Sequence, residues 1–365
     1  MADGRACPRL GRRALLGAAF AATGAATLRS DEAAAALRAA SSSAWAARPR
    51  AGFVRLARAG HVAKVHKTGS LQANGVHPEP TAARLMLEHA LTELTGASSL
   101  RDALATLIHP GDRVAIKPNG IAGKRTMKMA ANKEVIVELV RGLLAAGVAP
   151  EQITIYEQYR DFLFATRCIT DRLSLALAPE LPAGVKAAVH LNEDAVMGPI
   201  LVDGIATRYV RPFTDATAVI NVCQVKDHSI CGYTGAMKNI THGSNVNPHD
   251  FHEHNASPQI AHLYAQDVVR SRVALHIADA YQVIYDEGPM DRNPRRRVPH
   301  EALYAATDPV AIDVVGWEVV ERLRRDNGLP TLAQARREPS YLRVAGNLGL
   351  GVFDRQRIRL SEVTL

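Results

Sequence analysis

The residues best suited to chemistry crowd one segment, Ala218 to His254. Lys226, Asp227 and His228 come first, then Thr234-Gly235-Ala236-Met237-Lys238-Asn239. Five histidines follow in short order: His242, His249, His252, His254 and His262. Ammonium groups and an amide beside a glycine turn suit an anionic ligand, because they offer donors and positive charge together. Imidazole offers either a proton carrier near neutral pH or a metal ligand. The segment therefore reads as a polar site for an anion, a metal, or both.

An element must hold these groups in place. Ala218 to Val225 is mostly apolar and β-branched, which reads as a core strand. Lys226 and His228 then stand at its C-terminal end, where ligands sit in parallel α/β sheets. A second strand begins at Arg113 to Ile116 and ends in Lys117-Pro118-Asn119-Gly120, giving Lys117 and Asn119 the same placement. A third, Gln152 to Tyr156, is followed by Glu157. If these strands are neighbours, Lys117 and Lys226 converge on one crevice; otherwise they are solvated lysines at strand ends. Lys238 and Asn239 read as ligand-facing, or as an ordinary helix start.

His228 is a candidate general acid or base, a metal ligand, or a hydrogen-bonded structural histidine. His249, His252 and His254 fit a metal site loosely, although Asn247-Pro248 ahead of them suggests a plain exposed loop. Glu157, Asp279 and Asp313 could orient lysines or bind a cation, or be solvated acids; Asp308 reads as a helix cap. The Arg292 to Arg297 cluster reads as a solvated loop.

The remaining elements follow from periodicity and punctuation. Ala82 to Leu94 predicts an amphipathic helix. Asn132 is expected to cap a helix through Ala146, ended by Gly147. Val185 to His190 predicts a strand. Asp203-Gly204 predicts a hairpin between Ile200–Val202 and Ile205–Val210. Pro258 to Val269 predicts a helix, Val273 to Ala278 a strand, Asp308-Pro309 a helix start, and Ile358 to Val363 a last strand. Strand–helix–strand order with apolar strands implies an α/β fold: a mainly parallel sheet with helices on both faces. A single compact unit is expected, with a small subdomain possible over residues 160–215.

Composition narrows the classes. The 365 residues are 47% hydrophobic and 22% charged, as in a globular protein. Net charge is +8, but the first 46 residues hold six arginines against three acids, which leaves +5 for the rest. That gives little support for a nucleic-acid partner, and none is expected. Residues 1–46 place Arg12-Arg13 before an apolar run from Ala14 to Leu28, which resembles a twin-arginine export signal. The resemblance implies the twin-arginine export machinery as a partner and a periplasmic or extracellular location. Cys7, Cys168, Cys223 and Cys231 contain no Cys-x-x-Cys run, so no self-contained iron–sulfur or zinc-ribbon motif exists. Cys223 and Cys231 could pair after export; buried thiols are the plainer reading.

The ordered motifs Val114 to Asn119, Asn221 to His228, Thr234 to Asn239 and Asp308 to Asp313, with the strand before Glu157, resemble DUF362, a family of uncharacterised proteins. The resemblance is strongest over residues 105–325 of an expected domain at 47–365. It implies the fold and the place of the site rather than a reaction. Some members of that family carry ferredoxin modules, whose cysteines are absent here. The expected function is an exported enzyme on a small anionic substrate, with a metal possible. In it, Lys117, Lys226 and Lys238 bind the anion and His228 moves a proton. The alternative is a non-catalytic binding or metal-handling protein. No Walker loop, dinucleotide fingerprint or nucleophile–base pair names the reaction.

Overall fold

The computed structural model describes residues 43–365 except 49, 127 and 191–196, and the side chains of 125 and 126 are likewise outside the description. The expected export leader therefore lies almost wholly outside the described residues.

Eleven strands are present among the described residues. They are β1 (His61–His66), β2 (Val114–Pro118), β3 (Ile153–Glu157), β4 (Lys186–Val189), β5 (Ile200–Val202) and β6 (Ile205–Thr207). Then come β7 (Ala218–His228), β8 (Gly232–Thr234), β9 (Val273–Ile284), β10 (Arg297–Ala306) and β11 (Arg359–Thr364). Nine of these form one sheet in the order β11-β1-β10-β9-β7-β2-β3-β4, with β8 folded back on β7. From β9 through β4 every pairing along that order is parallel. The β9–β10 and β10–β1 pairings are antiparallel. The fold is α/β with a mixed, mostly parallel sheet, and β5–β6 is a small sheet apart.

Strand β7 is buried along its whole length, as its unbroken apolar run requires. Its side chains alternate between two hydrophobic cores. Ala218, Ile220 and Val222 enter one; Val219, Cys223 and Val225 enter the other. The first core is covered by α1 (Pro80–Thr95), α2 (Leu100–Leu107) and α3 (Lys133–Ala145), with Leu163 of α4 (Arg160–Ala165). The second takes α5 (Arg211–Thr214), α6 (Ala236–Thr241), α7 (Gln259–Tyr264), α8 (Asp267–Arg270), α9 (Pro309–Asp326) and α10 (Tyr341–Asn347). Helices thus lie on both faces, as expected.

Local expectations mostly hold, with instructive exceptions. The hairpin β5–β6 turns at Asp203 and Gly204, both at positive φ (53° and 77°), the backbone a tight two-residue turn needs. The expected helix 258–269 is two short helices, α7 and α8, because Gln266 is extended between them. Asn132 sits at the N-cap of α3, but its side chain donates to Asp279 instead of capping (3.0 and 3.1 Å). Within residues 160–215, β4 joins the main sheet beside β3, while β5 and β6 form the small separate sheet.

Three strands, β1, β8 and β10, lie outside the strands that the sequence predicts. Strand β10 opens at Arg297, inside the stretch expected to be a solvated loop, and Arg297 pairs with buried Asp291. Asp308 does more than cap α9. Its carboxylate accepts from Val310 N and Ala311 N, and also from Gly60 N (2.8 Å) and Val352 N (2.9 Å). One side chain thereby joins the segment ahead of β1, the start of α9 and the segment ahead of β11. Cys168, Cys223 and Cys231 are free and buried. Among the described residues no helix is long and apolar enough to cross a membrane.

Candidate functional site

The parallel register of β7, β2 and β3 brings the C-terminal ends of these strands to one edge of the sheet. Lys117 lies opposite Asn221 across β2–β7, and Glu157 ends the neighbouring strand. Lys117 Nζ stands 3.0 Å from Glu157 Oε2, both side chains being buried. It also donates to Pro118 O (2.7 Å), and its ammonium lies 5.8 Å from the centre of the Tyr156 ring. Glu157 accepts in turn from Gly120 N (2.8 Å) and Gln158 N (2.7 Å). Its carboxylate is thus fully engaged, as a buried charge must be. Gly243 is where Lys117 passes: a Cβ there would lie 2.8 Å from Lys117 Cε.

A chain of amides joins this pair to α6. Asn119 Nδ2 donates to Asn239 Oδ1 (2.9 Å), and Asn239 Nδ2 donates to Asn221 Oδ1 (2.7 Å). Lys226 Nζ donates to Asn119 Oδ1 (2.6 Å) and Gln224 Oε1 (3.4 Å), and among the described residues to no carboxylate. Burial, reinforced by the Lys238 and Lys117 charges and opposed by Glu157, pulls its ammonium down to about 7.

Helix α6 carries Lys238 and Asn239. Asp313, from α9, holds the start of α6 by accepting from Ala236 N and Met237 N (2.9 Å to the latter). Burial raises the Asp313 carboxyl to about 7 against those two bonds. Gly235 exists for this contact, because a Cβ on it would lie 2.1 Å from Asp313 Oδ1. The glycine admits a carboxylate of the protein itself, which replaces the expected close approach to a ligand.

Lys238 Nζ has one hydrogen-bond partner among the described residues, His252 Nε2 at 3.1 Å. His252 Nδ1 faces Pro248 O (2.8 Å), so this ring donates to the backbone and accepts from the lysine. Burial and the Lys238 charge pull His252 down to about 4. His228 Nδ1 accepts from Ile230 N (3.1 Å) and Cys231 N (3.4 Å), which leaves the proton on Nε2. Burial first, then Lys238, keeps the His228 imidazole neutral, well below its ordinary range. With Nδ1 accepting, His228 presents its Nε2–H to the site as a hydrogen-bond donor.

These groups line a cavity of about 410 Å³. Its wall includes Lys117, Asn119, Glu157, His228, Lys238, Asn239, His249 and His252 of the residues expected from sequence. Two of the expected residues lie away from the wall. Lys226 is fully buried and absent from the lining; it stands behind Asn119, so it acts on the cavity through that amide and its charge. His254 is exposed, lies on a separate turn at positive φ, and does not line the cavity. The set His249, His252 and His254 is therefore not assembled. Among the described residues no three His, Cys, Asp or Glu side chains are placed to hold a metal. His252 is engaged at both nitrogens. Asp279 accepts from Asn132 N (2.6 Å) and orients no lysine.

Other residues of the wall had no role assigned from the sequence, His242 and Thr234 although they lie in the same segment, and Tyr159 and Phe162 outside it. His242 lines the cavity beside His252, with ring centres 4.8 Å apart, and its Nε2 faces Phe251 O. Thr234 lines it with a buried hydroxyl that has no partner among the described residues. Tyr159 and Phe162 follow Glu157 and supply an aromatic wall, their rings edge to face at 5.0 Å. Their place just after a strand that ends in Glu157 was the available signal. A larger hollow, about 640 Å³, lies where β2, β3 and β4 begin, far along the strands from these groups.

A search of curated proteins finds no match. The family described as Domain of unknown function (DUF362) matches residues 114–318, more than half of the chain, from the first residue of β2 into α9. That span contains every residue of the cavity wall, and the chain belongs to the DUF362 family.

Proposed function

We propose that this chain holds a small anionic ligand in the cavity at the C-terminal ends of β2, β3 and β7. One observation carries the reading: among the described residues, the wall and the layer behind it bury three lysines, Lys117, Lys226 and Lys238, against a single paired carboxylate, Glu157. Among those residues the hydrogen-bond partner of Lys238 is a neutral imidazole. Burying an uncompensated ammonium is costly, and a bound anion supplies the missing charge. The Nε2–H of His228 and the hydroxyl of Thr234 are further donors without a protein acceptor among the described residues. The ligand's anionic group belongs against Lys238, with His228 donating to one of its oxygens.

Isothermal titration with acetate and inorganic phosphate tests this. Lys238→Met should lower affinity about ten- to hundred-fold, the range of a charge-assisted hydrogen bond, with an unchanged melting profile. Equal affinity in the variant would remove the reading.

Whether chemistry follows binding divides two readings. An enzyme on a small anionic substrate would use His228 as a neutral donor that polarises a carbonyl or carboxylate oxygen. A binding protein would need the same donor only for affinity. The locked Nδ1 of His228 favours the donor role over a proton shuttle in either case. In a catalyst, His228→Ala should abolish turnover while ligand is still bound. We place the protein's work after export, on the support of Arg12-Arg13 ahead of the apolar run; changing both to lysine should retain the chain inside the cell.

A further inference from the structure

We infer that the ligand is an organic acid with a flat apolar body, an aryl carboxylate or its like, rather than a bare inorganic anion. The inference rests on the anion-binding reading above and extends it to the rest of the molecule bound. Size speaks first. A cavity of about 410 Å³ equals roughly a dozen water-sized groups, so a phosphate or acetate ion leaves most of it unfilled. The lining speaks second, because it divides by chemistry. Buried donors from the strand ends and α6 form one part: Lys238, His228 and Thr234.

The other part is apolar and comes from different segments. Ile121 belongs to the turn after β2, Phe162 to α4, and Pro289 to the loop after β9. Tyr159 and Ile230 complete it and are among the few large apolar side chains left exposed, at 44% and 38%. Apolar surface held open beside a charged floor is characteristic of a site that takes an amphipathic small molecule. Phe162 and Tyr159, already edge to face, offer a ring a ready partner.

Recognition then needs no reaction chemistry. The carboxylate meets Lys238 and the His228 donor, and the ring leaves water to lie against Phe162, Ile121 and Pro289. Removing a ring's apolar area from water is worth about ten- to hundred-fold in affinity.

The experiment compares acetate, inorganic phosphate and benzoate by isothermal titration on the full chain. Benzoate is expected to bind at least tenfold more tightly than acetate. Phe162→Ala should cut the benzoate advantage several-fold and leave acetate unchanged. Because Phe162 is buried, Tyr159→Ala, at an exposed position, serves as the variant that keeps the fold, and a smaller loss confined to benzoate is expected there. Acetate or phosphate matching benzoate would overturn this inference and leave the anion site standing. Binding of none of the three would overturn both. A benzoate advantage that survives in both variants would place the ring elsewhere and also overturn the inference.

Discussion

Lys226 and Asp227 are consecutive residues at the end of one strand, both fully buried, and their surroundings differ completely. Asp227 belongs to a closed set of charges. Arg337 and Arg324 approach its carboxylate, Asp286 accepts from both arginines, and Gly288 N donates to the remaining oxygen (3.0 Å). Arg296 also approaches Asp286 (3.6 Å) and pairs with Glu287 (3.1 Å), so among the described residues three guanidiniums meet three carboxylates, and the charges balance. Burial pushes Asp227 up to about 6 against the arginines, so it is ionised at neutral pH. Lys226 belongs to an open set, three ammoniums with one paired carboxylate among the described residues, tied together by neutral amides. Charge that the protein balances for itself serves to hold segments together, here β7 to α9 and the chain around Arg337. Charge that it leaves unbalanced points to something bound.

This contrast can be broken. Asp227→Ala should be the most damaging of the changes considered, because it strips a carboxylate from buried Arg324 and partly buried Arg337. A loss of about 3–5 kcal/mol is expected in chemical denaturation. Gly235→Ala comes next, at about 1–3 kcal/mol, since its Cβ collides with Asp313 and unseats the helix that presents Lys238. It should also weaken anion binding, which Asp227→Ala in its folded fraction should not. Lys226→Met should change stability by less than about 1.5 kcal/mol, because an unbalanced charge leaves as well as a hydrogen bond. If Lys226→Met proved as harmful as Asp227→Ala, the distinction between closed and open sets would be lost.

The smallest effect depends on pH. Lys226 holds its proton to about 7 in the fold and to about 10.5 when unfolded. Between those values the unfolded chain binds more protons, so stability contributed at this position rises as pH rises. Anion affinity should run the other way, falling roughly three- to ten-fold as pH climbs through 7 and the charge behind Asn119 is lost. Lys226→Met should flatten both trends.

The convergence of Lys117, Asn119, Glu157, Lys238 and Asn239 was legible because each lies at or just after the C-terminal end of a strand or turn. A parallel sheet brings such ends to one edge. Strand β7 announced itself by an unbroken apolar run. Strand β10 did not: its first half is half-exposed and mixed, RVPHE, and its outer partner β1 comes from distant sequence. Long-range antiparallel pairing leaves no local signature of that kind. The histidines misled for a related reason. Spacing grouped His249, His252 and His254, whereas tertiary packing groups His249 and His252 with His228 and His242 and sends His254 to the surface. Lys226 was placed at the right strand end, but its depth behind Asn119 depends on a side-chain bond that spacing does not encode.

The four-fold grip of Asp308 bears on where this chain can be cut. The family match begins at β2 and ends within α9, yet Asp308 ties that span to Gly60 and Val352 on either side of it. A fragment trimmed to 114–318 would lose β1, baring the outer edge of β10, and would lose α1 and α2 from one core. Such an edge recruits other chains. The recognisable domain is therefore shorter than the unit that folds, and a fragment meant for crystals or binding assays should start before Gly60 and continue past β11.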